Sequence, residues 1–268
     1  MTDLSMLPPP AGEAVRGPAI AVRGLGKRFG DLIAVNGIDL DVPRGSFFGL
    51  VGPNGAGKTT TLSMVTGLLR PDAGTAMVLD HDVWADPVEA KRLLGILPDG
   101  LRIFDRLTGL QLVTYAGLLR GLSREVATKR ATELLRALGL EDARDKLVVD
   151  YSAGMTKKVT LASALVHGPR VLVLDEPFEA VDPVSATTIR GILADFVAAG
   201  GTVVLSSHVM DLVERICSHV AVLARGEVLA TGTVDEVRAG KSLEERFVDL
   251  VGGSTEVEGL EWLRTSSD

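Results

Sequence analysis

Residues Gly52-Pro53-Asn54-Gly55-Ala56-Gly57-Lys58-Thr59 follow the apolar run Phe47-Phe48-Gly49-Leu50-Val51 and lead into a stretch, residues 59 to 69, that suits a helix. A strand that turns into a helix through three glycines, with a lysine and a threonine at the helix start, satisfies GxxxxGK[ST] in the context that motif requires. Glycine lets the backbone curl so that successive N–H groups point inward. The helix start adds its dipole, Lys58 a cation, and Thr59 a hydroxyl for Mg²⁺, with Thr60 next in the same turn. An incidental glycine-rich turn is the plainer alternative, and the full spacing with both flanks sets it aside.

The chain has 268 residues, a formal charge of -7 and 46% hydrophobic residues, which fits a folded globular protein and excludes a disordered polymer. An acidic chain has no general attraction for nucleic acid, so a polyphosphate must be held by a local arrangement, and no nucleic-acid partner is expected. The longest apolar runs, such as residues 171 to 174 and 220 to 224, are strand-length, so no membrane span is expected. Cys217 is the single cysteine, which excludes an intrachain disulfide, and the N-terminal order is not that of a signal peptide. A cytoplasmic protein is expected. Cys217 reads as a core residue of an apolar helix, and Lys157-Lys158 as a solvated helix face. His81, His167 and His219 show no metal-ligand spacing.

Residues 1 to 17, with Pro8-Pro9-Pro10, read as a flexible leader. Short apolar runs separated by Gly, Asn and Pro then predict strands to about residue 51. Helical spacing dominates residues 109 to 140, and Ser152 can cap a helix running to about residue 167. The unalternated run Val171-Leu172-Val173-Leu174, and a second at residues 202 to 205, suit strands buried on both faces of a parallel sheet. Helices at residues 184 to 199 and 210 to 218 accompany them, so the core is α/β and mostly parallel. Residues 220 to 231, broken at Arg225-Gly226, predict a hairpin, followed by a helical tail from about residue 234 to 250.

Asp175 and Glu176 close the first buried run, at the end of a strand where open α/β sheets place their ligands. Asp175 can hold Mg²⁺ through its water shell, and Glu176 is placed to polarise a water against a γ-phosphate. Taken alone, Tyr151-Ser152-Ala153-Gly154 is only a helix cap with small neighbours.

In order along the chain, the phosphate loop, Ser152-Ala153-Gly154-Met155 and Asp175-Glu176-Pro177 resemble the ATP-binding cassette (ABC) ATPases, over residues 19 to about 230. The resemblance implies a P-loop NTPase core, with an N-terminal antiparallel β subdomain and a helical subdomain at about residues 100 to 165. The ATPase domain would span residues 18 to 235, followed by a helical tail at 236 to 268. It also implies ATP and Mg²⁺ as cofactors and a dimer in which Ser152 and Gly154 of one cassette complete the nucleotide site of another. Ala153 stands where the family commonly has a second glycine, and its methyl fits only if its φ is negative. Phe29 resembles the aromatic that stacks on adenine, His208 the histidine that contacts the γ-phosphate, and Asp182 the loop that runs between cassettes. Catalysis would fall to Glu176, His208 and Lys58, nucleotide binding to residues 52 to 60 with Phe29, Ser152, Gly154 and Asp182, and the metal to Thr59, Asp99 and Asp175.

Asp99, in Ile96-Leu97-Pro98-Asp99, stands where the family usually has glutamine. A carboxylate accepts from metal-bound water but cannot donate, and it adds charge near Glu176, so Asp99→Gln is expected to raise turnover. Leu97-Pro98-Asp99, Asp105-Arg106-Leu107-Thr108-Gly109 and Ser242-Leu243-Glu244-Glu245-Arg246-Phe247 are similar to bacterial cassettes serving drug, lipid or polysaccharide exporters. The implied protein is an ATP-hydrolysing subunit that energises a separate permease, peripheral on the inner face of the cell membrane. The alternatives are a weakly hydrolysing regulatory cassette and a soluble ABC ATPase outside transport.

Overall fold

The computed structural model describes residues 17–100 and 103–252; the expected leader, apart from Gly17, and the last dozen residues lie outside them. Two sheets organise the chain. Strands β1 (Ile20–Phe29), β2 (Leu32–Val42), β4 (Ala73–Val78) and β5 (His81–Asp82) form an antiparallel sheet in the order β2-β1-β4-β5. The larger sheet has the order β10-β9-β3-β8-β7-β6, from β3 (Phe47–Val51), β6 (Leu94–Leu97), β7 (Val171–Leu174), β8 (Thr202–Ser207), β9 (His219–Ala224) and β10 (Glu227–Thr233). Its pairs are parallel except β9-β10. All residues of β3, β7 and β8 are buried, as their unbroken apolar runs require.

Helix α1 (Lys58–Val65) starts one residue earlier than the sequence suggests and stops where Gly67 turns left-handed, at φ 72°. After α2 (Pro87–Leu93), the helical stretch of residues 109 to 140 resolves into α3 (Gly109–Leu119) and α4 (Arg124–Ala137). Gly121 sits at φ 83° between them, Thr108 and Gln111 form a capping box on α3, and Ser123 caps α4. Helix α5 (Ala153–Leu165) follows, and these three helices pack as a block beside the sheet. Ser152 Oγ accepts from Met155 N, the expected cap. Helix α6 (Pro183–Ala198) joins β7 to β8, and α7 (Met210–Ile216) precedes β9. The tail breaks at Ala239-Gly240, both left-handed, into α8 (Val234–Arg238) and α9 (Leu243–Val251).

One expectation needs correction. Cys217 lies past the end of α7 in extended backbone, not within the helix, although it is buried. Burial pushes its thiol up to about 12, which leaves it an inert packing group.

Candidate functional site

Because β3, β8 and β7 are parallel neighbours, their C-terminal ends lie side by side, and each delivers a different piece of chemistry. β3 delivers residues 52–57, β7 delivers Asp175 and Glu176, and β8 delivers His208. A cleft of about 740 Å³ is lined by Asn54, Gly55, Ala56, Gly57, Lys58, Thr59 and Thr60, by Asp99, Glu176 and His208, and by the apolar Phe29, Leu32 and Ile33.

The loop keeps its shape by contacts outside itself. Gly57 has φ 101°, and a Cβ there would fall 2.5 Å from the Ala34 carbonyl oxygen, so a side chain is excluded by both torsion and space. The β9-β10 turn supports the loop from below: Gly226 N donates to Ala56 O at 3.0 Å, and Asn36 N donates to Gly226 O at 2.8 Å. Arg225-Gly226 is the hairpin turn expected from sequence, with φ 51° and 78°. Its role as a prop carries no sequence signal, because the partners come from β2 and the loop itself.

Lys58 is 6% exposed. Its Nζ donates to Gly52 O at 2.8 Å and Pro53 O at 3.2 Å, and lies 3.8 Å from Glu176 Oε1. Burial lowers its pKa, and the charges of Glu176 and Asp175 partly restore it. The two carbonyls and the neighbouring carboxylates offset part of the cost of burying this ammonium, which can turn to an anion entering the cleft.

Asp175 is buried, and its Oδ1 accepts from the Ser206 hydroxyl, which in turn accepts from Glu176 N at 2.9 Å. Glu176 has φ 45°, a left-handed conformation that costs a non-glycine residue about 1–2 kcal/mol. Its carboxylate Oε1 lies 3.1 Å from His208 Nδ1.

Lys157 reaches the other side of the same residue. Its Nζ donates to Glu176 O at 2.9 Å and lies 3.7 Å from Asp99 Oδ1, with its side chain 19% exposed. The solvated-face reading of Lys157-Lys158 is therefore wrong for Lys157. The sequence carries no local signal for this, because α5 holds no acidic residue and both partners lie on other parts of the fold. The Asp99 charge near Glu176 faces this ammonium.

Phe29 is 48% exposed, a rim residue rather than a core aromatic. Ser152 and Gly154 lie outside the residues lining the cleft, on the N-terminal end of α5. Ala153 is absent from the left-handed residues, so its methyl is tolerated. A Cβ on Gly154 would fall 3.0 Å from Asp182 Oδ2, which gives that glycine a packing reason within its own chain. Asp182 caps α6, its Oδ1 accepting from Val184 N and Ser185 N.

A parallel sheet whose strand ends present a phosphate-cradling loop, paired acids and a histidine defines a nucleoside-triphosphate hydrolase of the P-loop class. Comparison with known proteins narrows the class. The family model described as ABC transporter matches residues 35–179. The daunorubicin/doxorubicin resistance ATP-binding protein DrrA of Streptomyces peucetius is 40% identical over 221 residues, covering 82% of this chain and 67% of that protein. The linearmycin resistance ATP-binding protein LnrL of Bacillus subtilis is 36% identical over 208 residues, 77% of this chain and 67% of its own. A solved ATP-binding subunit of an ABC transporter is similar with a TM-score of 0.81 at 28% identity, over 87% of this chain and 99% of that one. This chain belongs to the ABC transporter family, as a nucleotide-binding, ATP-hydrolysing cassette.

Proposed function

We propose that the chain works as a dimer of cassettes on the inner face of a membrane, hydrolysing ATP to drive a separate permease that exports its cargo. One observation carries the reading: the cleft holds the loop, Glu176 and His208, while Ser152 and Gly154 sit outside it at the start of a helix. A helix N-terminus that presents an exposed serine hydroxyl is suited to a phosphate presented by another copy. Export rests on the likeness to resistance ATP-binding proteins and to the Nod factor export ATP-binding protein I of Burkholderia lata, 38% identical over 213 residues, which cover 80% of this chain and 70% of that protein. Among the described residues no helix is long and apolar enough to cross a membrane, so a permease would be a separate chain or segment. An apolar groove of about 720 Å³ in the helical block, lined by Phe104, Leu107, Leu110, Tyr115 and Leu118 and flanked by Asp105, Arg106 and Arg124, is the surface we assign to it.

In this reading the adenine stacks on Phe29, and the phosphates lie on the amides of residues 52–60 with Lys58 moving from Gly52 O and Pro53 O to the β- and γ-phosphate oxygens. Glu176 orients a water in line with the γ-phosphorus and accepts its proton as the new P–O bond forms and the bridging bond to ADP breaks. His208 fixes the Glu176 carboxylate and faces the γ-phosphate. Thr59 and Asp175 fit Mg²⁺: both offer hard oxygen donors, and this ion would take its remaining ligands from phosphate and water, while Asp99 faces Lys157. Mg²⁺ would supply charge neutralisation on the phosphate oxygens.

The test is Glu176→Gln incubated with ATP and run on a sizing column. The variant is expected to elute as a nucleotide-bound dimer with hydrolysis nearly abolished. Wild-type turnover in this variant would remove Glu176 from its role, and a monomer at saturating ATP would remove the sandwich.

A further inference from the structure

We propose that Lys157 is a positioning residue for Glu176: its ammonium, shared with Asp99, holds the Glu176 carbonyl and so fixes the left-handed backbone that aims the carboxylate into the cleft. The inference rests on the reading of Glu176 as the residue that orients water.

Three observations carry it. Glu176 adopts φ 45°, which persists only when its surroundings over-determine it. The peptide is clamped on both sides: Glu176 N donates to Ser206 Oγ from β8, and Glu176 O accepts from Lys157 Nζ of α5 at 2.9 Å and from Glu179 N at 3.2 Å. Of the two donors on that carbonyl among the described residues, Lys157 alone comes from another element, and its bond is the charge-assisted one. Finally, the ammonium is largely withdrawn from water, with Asp99 at 3.7 Å. A desolvated cation with one carbonyl and one carboxylate is confined to the line between them, which a neutral partner would not enforce. Lys157 therefore joins α5, the helix that begins at Ser152, to the end of β7. It does not line the cleft, and acts through the backbone of Glu176.

The full-length chain carrying Lys157→Met, Lys157→Arg, Asp99→Asn or both Lys157→Met and Asp99→Asn would be assayed for steady-state ATPase and thermal stability, beside Glu176→Gln. Lys157→Met is expected to lower kcat about ten-fold while KM for ATP stays within about two-fold, because the effect falls on the transition state and not on ground-state binding. Lys157→Arg should recover at least about half of kcat, since a guanidinium still donates to both partners. The double variant should lose no more than Lys157→Met alone, because Asp99 acts through the lysine. An unchanged kcat in Lys157→Met, or a rise in KM that accounts for the lost activity, would overturn the proposal. If Lys157→Met is too unstable to assay, Asp99→Asn decides, since that side chain is 45% exposed. A fall in its kcat of about three-fold at unchanged KM supports the link, and an unchanged kcat overturns it. Glu176→Gln separates the two levels. If it is inactive while Lys157→Met is normal, only the lysine's role falls; if Glu176→Gln itself keeps wild-type turnover, the reading of the glutamate fails instead.

Discussion

His208 Nδ1 lies 3.1 Å from Glu176 Oε1, across the ends of two neighbouring parallel strands, and the same Oε1 is 3.8 Å from Lys58 Nζ. A carboxylate oxygen only accepts, so the imidazole donates to it through Nδ1. The glutamate is thus held from its carboxylate by His208 and from its backbone by Ser206 and Lys157.

Removing the carboxylate's partner should therefore cost turnover more than binding. His208→Ala is expected to lower kcat about a hundred-fold, within the range for a misplaced general base, with nucleotide affinity changed less than about three-fold. Steady-state ATPase together with fluorescent-nucleotide titration checks this. Equal losses in affinity and turnover would show that His208 serves ground-state binding.

Gly57 tests the loop rather than the chemistry. Its φ of 101° and the 2.5 Å approach of a Cβ to Ala34 O are independent obstacles, so Gly57→Ala must shift either the loop or β2. A loss of about 2–4 kcal/mol in denaturant unfolding is expected, as strain and a backbone clash add. Gly55 is the internal control. It also has positive φ, at 80°, but a Cβ there meets nothing within 4 Å, so Gly55→Ala should cost about 1 kcal/mol.

What the sequence made legible follows its short-range patterns. Residues 52 to 59 are contiguous, and the buried runs that end at Leu174 and Ser207 announce their strands and hence the placement of Glu176 and His208. β4 and β6 escaped notice because Ala73–Val78 is rich in small residues and Leu94–Leu97 is only 4 residues long, too little for a period to show. Lys157 was misread for a different reason. Its partners lie on two other elements, Asp99 beyond β6 and Glu176 beyond β7, and a helical pattern reports which face is apolar but not which lysine finds an acid across the fold. That contact also reverses an expectation. With Asp99 paired, neutralising it frees Lys157 from one anchor, so Asp99→Gln is now expected to lower turnover rather than raise it.

His167 ties the helical block to the large sheet and makes stability depend on pH. Its Nε2 lies 3.0 Å from the Leu94 carbonyl, so that nitrogen carries the proton and donates, while Nδ1 is buried without a partner among the described residues. Burial first, then the positive charge of Arg120, push its pKa from 6.5 down to about 4, against the opposing Leu94 bond and with a lesser contribution from Arg130. Between those values the unfolded chain binds a proton that the folded chain refuses. The contribution is therefore fully present above about pH 6.5 and is lost as pH falls toward 4, by on the order of 2–3 kcal/mol for a shift of this size. His167→Gln can still donate to Leu94 O but does not titrate in this range. Urea unfolding at pH 7 and pH 4.5 should show a smaller drop for the variant than for the natural chain, by about that amount. Equal drops would mean that His167 is protonated in the folded protein without cost.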